Sequence, residues 1–248
     1  MLPSPPPTGA GLLRRSRLGV VLAGVAAVAV GLLAVFGSGS GASSDAGDPS
    51  SRSSGVDGTL ALYEWLGDLG LDVHRVSGDF DLGHTDVLFV IAPSEGFTDT
   101  EVGRVRDFLR GGGVAVVAVS PATLPAAQPI LDSVGLGIDH AAPPGAATPT
   151  TEFPGSARVH SVDFADRGVA VGNEGTPLMR TDNDDVVLSS FDVGSGRLDV
   201  LGSPYPLSNE GLRATRPDGA GTLQPTNSDA GALVLALLQS ARPAGGPP

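Results

Sequence analysis

Between Leu18 and Phe36 the chain runs nineteen residues without a charge, directly after Arg14, Arg15 and Arg17. Coiled as a helix rising ~1.5 Å per residue, that run is roughly 28 Å long, about the hydrocarbon thickness of a bilayer. In lipid the backbone must satisfy its own polar groups within the segment, so such a run crosses as a helix. The arginines flank its N-terminal side alone. That pattern predicts a cytoplasmic N-terminus and an extracytoplasmic remainder, a single-pass protein of the cell membrane. The competing reading is a secretory signal removed by cleavage. Ser40-Gly41-Ala42 offers small residues with cleavage-site spacing, although an h-region is usually only about 7–15 residues. Both readings export everything that follows.

The sequence divides into five parts. Residues 1–17 read as a cytoplasmic stub and 18–36 as the span. Residues 37–58, rich in Gly, Ser and Asp, form a flexible linker. Residues 59–240 form one domain, large enough for a proper core, and 241–248 a disordered Pro/Gly tail. Beyond the apolar run the chain carries 27 acids against 12 arginines, with no lysine. Such a surface repels phosphates and excludes nucleic acid as a partner. The membrane is expected as a partner through Leu18 to Phe36 alone. There is no cysteine, which excludes disulfides, thiol nucleophiles and thiolate metal sites.

Hydrophobic periodicity sets the expected elements. Leu60, Tyr63, Leu66 and Leu69 share a helical face that Gly70 ends. Asp72–Val76 alternates as a short strand. Asp86–Ala92 and Val114–Val119 are nearly all apolar, as strands covered on both faces are. Between them Thr98-Asp99-Thr100-Glu101 is a capping box, followed by a stripe of Val102, Val105, Phe108 and Leu109. Gly111-Gly112-Gly113 supplies the exit turn. Strand, helix and strand with short connections predict a right-handed crossover in a parallel sheet. A weaker helix spans Ala126 to Val134, and Ala141–Thr151 reads as a loop. Arg158–Val162, Val169–Val171, Val186–Phe191 and Arg197–Leu201 read as short strands, the last two joined at Gly194-Ser195-Gly196. A final helix runs from Asp229 to Ser240, N-capped by Ser228.

Several segments fall in a familiar order: Gly58–Leu66, Phe89–Pro93 before the capping box, Phe108–Val114, Gly196–Gly202 and Leu207–Leu212. Together they resemble an uncharacterised family of membrane-anchored bacterial proteins with a class I glutamine-amidotransferase-like domain of unknown function. The resemblance implies an α/β fold, a mostly parallel Rossmann-like or flavodoxin-like sheet flanked by helices. Additional antiparallel strands are expected in the second half, and one transmembrane helix at the N-terminus. It also implies an accessory role in a bacterial envelope or transport system, with an envelope protein as partner. The chain departs from the pattern in a Pro/Gly-rich insert, Arg213 to Thr226, and in lacking a second span after the domain.

An amidotransferase-type reaction needs a nucleophile on a strained turn, backed by histidine and an acid. Ser120, after the second buried strand, holds that place without a Gly-x-Ser-x-Gly elbow. Ser94, after the first buried strand, reads as a turn residue or a ligand contact. The histidines at 74, 84, 140 and 160 lack metal-site spacing. Asp182–Asp185 lacks the Gly and Glu of a calcium loop, so no metal and no cofactor are expected. Ser208, Asn209 and Glu210 are the favoured ligand- or partner-binding residues, together with Ser94. The local alternative is that Ser208 and Asn209 cap a short helix and Glu210 closes the box. The expected function is a non-catalytic, membrane-tethered extracytoplasmic binding or scaffold module. The alternative is an exported hydrolase using serine or carboxylates, with Ser120, Ser94 or Glu210 as its groups.

Overall fold

The computed structural model describes residues 29–33, 49–138, 140–142, 145–164, 168–172, 174–213, 215–217, 223–225 and 229–241. The first element is a strand, β1 (Ala29–Leu33), followed by helix α1 (Leu60–Asp68), β2 (Asp72–Val76) and β3 (Val87–Ile91). Then come α2 (Asp99–Arg110), β4 (Val114–Ala118), α3 (Leu124–Ser133), β5 (His140–Ala142) and β6 (Gly145–Pro149). A 3₁₀ turn at Ser156–Arg158 leads to β7 (Val162–Phe164), β8 (Gly168–Ala170), β9 (Thr176–Thr181), β10 (Val186–Val193) and β11 (Gly196–Leu201). A second 3₁₀ turn, Tyr205–Leu207, precedes β12 (Thr215–Pro217), β13 (Leu223–Pro225) and the last helix, α4 (Ala230–Ser240).

Nine strands join in one sheet in the order β2-β1-β3-β4-β11-β10-β9-β6-β7. The pairings among β2, β1, β3, β4 and β11 are parallel. Those among β11, β10, β9, β6 and β7 are antiparallel. The expected mostly parallel, helix-flanked Rossmann-like or flavodoxin-like sheet is therefore corrected to a mixed, curled half-barrel sheet, with four helices among the described residues. The physical reason lies in the connections of the second half. A two-residue turn at Gly194-Ser195, with Gly194 at φ +65°, closes β10 onto β11, and the turn at residues 182–185 closes β9 onto β10. Connections that short cannot carry a crossover helix, so the chain returns antiparallel. The predicted loop at 141–151 holds β5 and β6. β5 pairs with β8 in a small separate sheet, and β12 pairs with β13 in the insert.

Of the segment expected as a transmembrane helix, five residues are described. Ala29–Leu33 is extended and lies between β2 and β3, parallel to both. The rest of 18–36 lies outside the described residues, as do the stub, most of the linker and the tail beyond Ala241. No helix among the described residues is long and apolar enough to cross a membrane.

Side-chain alternation on β3 divides the core. Val87, Phe89 and Ile91 join Leu62 and Leu66 of α1 and Leu233 and Leu237 of α4 on one face. Leu88 and Val90 join Val105 and Leu109 of α2 and Ile130 and Leu131 of α3 on the other. Helix α2 begins with the predicted capping box. Thr98 accepts from the Glu101 N–H, and the Glu101 carboxylate accepts from the Thr98 N–H at 2.8 Å. Ser228, the predicted cap of the last helix, lies outside the described residues, and Asp229 holds the N-cap position.

Both ends of α4 are tied to the sheet by charge. At its C-terminus Arg197 of β11 donates to the Ser240 carbonyl at 2.8 Å, a cation at the negative end of the helix dipole. The same guanidinium grips Asp199 bidentately, at 2.9 and 3.0 Å, and Ser190 donates to that carboxylate at 2.6 Å. Asp199 is fully buried. Burial pushes its carboxyl above the ordinary range, while Arg197 and Ser190 pull it back. Removing one partner of a buried pair strands the other charge, so Asp199→Ala should cost about 3–5 kcal/mol of unfolding free energy in urea denaturation. At the other end, Asp229 accepts from the backbone N–H groups of His160 and Ser161, at 2.6 and 3.3 Å. Partial burial raises its carboxyl, but those N–H groups and the His160 ring together hold it below its ordinary 3.8. A carboxyl depressed on folding stabilises above its unfolded value and loses that contribution as pH falls through the folded one. Acid titration of stability should therefore show a loss below about pH 4 that Asp229→Asn diminishes.

Candidate functional site

The carboxyl ends of β3, β4 and β11 open onto a cleft of about 640 Å³. In sheets with parallel strands, ligands bind outside such strand ends. At the end of β3, Ala92 has φ +46°, a left-handed backbone that only glycine adopts without strain. It is fixed there by its N–H, which donates to the Ala118 carbonyl at 2.9 Å. At the end of β4, Val119 donates to the Leu201 carbonyl of β11 at 3.0 Å, which sets Ser120 at the cleft wall. Beyond β11, Tyr205 and Ser208 form another wall, with Asp57 and Thr123 closing the rim.

The lining of this cleft is half proline and alanine, with the hydroxyls of Ser120, Thr123, Tyr205 and Ser208 and one acid. Asp57 is exposed and is the charged side chain among the described lining residues, which include no histidine, arginine or glutamate. Ser120 is not poised as a nucleophile. Its N–H donates to Thr123 Oγ1 at 2.9 Å, and its hydroxyl lies 3.3 Å from the same oxygen. That is a serine–threonine turn opening α3, with no imidazole in it. The described lining offers no cationic side chain to pair with a phosphate.

The segment from Ser208 to Glu210 does its visible work next to the cleft. Asn209 is buried, and its carboxamide is fully engaged. Nδ2 donates to the carbonyls of Ser53 at 2.9 Å and Gly55 at 2.6 Å, and Oδ1 accepts from the Ala61 N–H at 2.7 Å. Ala61 is the second residue of α1, whose own N-cap, Thr59, makes no side-chain cap. Asn209 thus caps α1 from across the chain and clasps the 49–59 loop against β11's exit. The backbone joins in, Asn209 donating to the Gly58 carbonyl at 2.6 Å and Glu210 to that of Val56 at 3.1 Å. The clasp needs two glycines without Cβ atoms. A side chain on Gly58 would strike the Ser53 carbonyl, and one on Gly211 the Tyr205 carbonyl. Ser208 secures the turn locally, donating to the Tyr205 carbonyl at 2.8 Å and accepting from the Gly211 N–H at 3.1 Å.

Of the predicted binding residues, Ser208 therefore reaches the cleft. Asn209 lies beside a smaller hollow of about 300 Å³ with Glu64 and Arg213. Glu210 is half-buried behind the clasp, and Ser94 is exposed on the loop between β3 and α2. Ser120 lines the cleft, and the other two hydrolase candidates, Ser94 and Glu210, are not among its lining residues. The Asp182–Asp185 segment is the β9–β10 turn, with Arg180 donating to the Asp184 carbonyl at 2.8 Å. Among the described residues no three histidines or acids converge as a metal site. Sequence reasoning passed over Asp57, Thr123, Tyr205 and the strained Ala92. The available signal was position, since each of the last three follows the carboxyl end of a buried strand or its turn.

Fold and cleft together define a mixed α/β module with a hydroxyl-lined recess at its parallel strand ends. The chain belongs to the family described as Domain of unknown function (DUF4350), whose model matches residues 51–223. That match carries neither an amidotransferase-like fold nor a membrane anchor. No curated protein matches the sequence. Among solved structures, the mmIFT52 N-terminal domain is 15% identical, with 74% of this chain and 89% of that one covered and a TM-score of 0.55. The exo-β-1,4-mannosidase Op5Man5 from Opitutaceae bacterium strain TAV5 is 16% identical, covering 73% and 32%, with a TM-score of 0.52. The β-galactosidase from Bacillus circulans sp. alkalophilus is 14% identical, covering 85% and 30%, also at 0.52. The chain spans about a third of the length of those two glycosidases, and the likeness is one of fold.

Asn209→Asp keeps the shape of the clasp but replaces two N–H donors with a carboxylate facing the Ser53 and Gly55 carbonyls. It should destabilise the protein by about 2–3 kcal/mol, as much as Asn209→Ala. Urea midpoints of the two variants check this. A much milder Asp variant would mean that the clasp is not what holds the 49–59 loop.

Proposed function

We propose that this chain is a non-catalytic binding module held at a membrane by its uncharged N-terminal run, with the cleft at the ends of β3, β4 and β11 as its binding face. The observation that carries the reading is the cleft's composition. It has prolines, hydroxyls, a strained backbone and one carboxylate, and the neighbour of its Ser120 hydroxyl is Thr123, at 3.3 Å, rather than a base. Catalysis at Ser120 would require a proton acceptor within hydrogen-bond reach, and Thr123 is not one. A rigid recess walled by strand ends and a clasped loop is suited to holding a ligand in place. The acidic chain beyond the run favours a cationic or neutral occupant over an anionic one. The accessory role in a bacterial envelope system belongs to the same reading, with an envelope protein as the partner.

The full chain in membranes supplies the test. Ala122 is exposed on the cleft wall, so Ala122→Arg fills the recess with a bulky cation and leaves the core untouched. Gly67→Arg, on the open face of α1, is the control. Photo-cross-linking from the cleft should capture a reproducible partner or ligand in the parent and in Gly67→Arg, and at least tenfold less in Ala122→Arg. Equal capture by all three would reject the cleft as the binding face. Esterase, amidase or glycosidase turnover abolished by Ser120→Ala would replace this reading with the hydrolase.

A further inference from the structure

Ala29–Leu33 belongs both to the uncharged run and to the sheet. In the sheet it is extended, with Gly31 level with His74 of β2 on one side and Leu88 of β3 on the other. In a bilayer it would lie inside the helix, because about 20 residues are needed to cross. With Ala29–Leu33 held as strand, the uncharged residues before it are Leu18 to Val28. Those eleven would make a helix of about 16 Å, roughly half the hydrocarbon thickness. The two placements therefore exclude each other.

We propose that the bilayer and the sheet compete for Ala29–Leu33, so that membrane insertion withdraws β1 and leaves a slot one strand wide between β2 and β3. The proposal rests on the membrane anchoring argued above. The slot would be about 9.5 Å across, two strand spacings. β2 pairs with β1 alone in the sheet, but it also has ties that do not pass through β1. Arg75 donates to Ser51 Oγ at 3.0 Å and to the Ser51 carbonyl at 2.9 Å, and its guanidinium lies 3.7 Å from the centre of the Tyr63 ring. Tyr63 in turn donates to the Val73 carbonyl at 3.4 Å. On the other wall β3 is buried throughout and remains paired with β4. Withdrawal leaves the free backbone edge of an apolar strand, which binds an extended segment readily. The slot's occupant is Ala29–Leu33 itself, an uncharged strand in parallel register, and the chain is a two-state device whose sheet is complete only off the membrane.

The absence of cysteine makes the competition measurable in the full chain. Two double variants follow the register, Ala29→Cys with Asp72→Cys and Gly31→Cys with His74→Cys. Neighbouring strands bring such pairs within disulfide range, and an inserted helix does not. Each is oxidised in buffer and after reconstitution into phosphatidylcholine–phosphatidylglycerol vesicles, with flotation reporting insertion. Both pairs should cross-link in buffer, and the yield should fall at least tenfold in the floated fraction. Undiminished cross-linking in floated protein overturns the competition and leaves the anchor standing. Protein that cross-links but never floats overturns the anchor and the competition with it. Failure of both pairs in buffer overturns the pairing of β1, and the second pair guards against one variant that does not fold.

Discussion

The ion pair between Arg197 and Asp199 sits where the sheet changes its rules. β11 is parallel to β4 on one side and antiparallel to β10 on the other. A strand in that position has no free edge, and both its faces are covered by core. Two charged residues two apart on such a strand point to the same face, so one buried face must carry both. The desolvation cost is offset because the guanidinium fork meets the carboxylate bidentately and its remaining N–H reaches the end of α4. The pair is thus a registry device. It fixes which way β11 faces and where the last helix ends. With that end fixed, Leu233 and Leu237 lie against the face built by β3 and α1.

From that seam the cleft follows. The end of β11 is where the parallel half of the sheet stops, and the chain leaves it through Ser203, Pro204 and the turn at Tyr205. Asn209 then reaches back to the start of α1 and to the loop before it, joining parts of the chain 148 residues apart. The clasp ties the 49–59 loop to the turn after β11, and Asp57 stands at the rim within that loop. The recess is therefore assembled from segments that meet only in the folded chain. Its shape depends on the interior network more than on the residues lining it.

What could be read in advance was local. The capping box at Thr98 and Glu101 was legible because both partners lie within one turn. The strands β3 and β4 were legible because every residue of each is apolar, and Gly194-Ser195 because a two-residue hairpin turn has few alternatives. The overall sheet was misjudged for a related reason. The strand–helix–strand pattern is strong between 86 and 119, and the weaker pattern after 158 reads as an addition to a parallel sheet. In the structure it supplies half the pairings. Asn209 was picked out for its chemistry, but its role was hidden. Serine, asparagine and glutamate in a row suggest a local cap, and nothing in the sequence shows that the helix being capped begins at residue 60. Asp199 was likewise hidden, since a charge inside an apolar strand reveals nothing about its partner until the register is known. Ala92 is marked by its position after β3 but not by its residue type, because alanine is ordinary and φ is set by what surrounds it.

The segment from Ala29 to Leu33 shows a deeper limit of hydropathy. A strand buried on both faces and a membrane helix demand the same thing of their side chains, freedom from charge and an apolar surface all round. Five residues of Ala, Val, Gly and Leu satisfy both, and glycine penalises either conformation without forbidding it. What separates the two is the partner for the backbone. In lipid the N–H and C=O groups must pair within the helix, whereas in the sheet they pair with β2 on one side and β3 on the other. The choice is then made by the solvent around the chain. A linker without apolar runs, 37 to 58, offers the domain no substitute strand. Among the described residues the strand between β2 and β3 comes from the run that also has the composition of an anchor, and under the proposed anchoring the two placements are opposed outcomes of one short sequence.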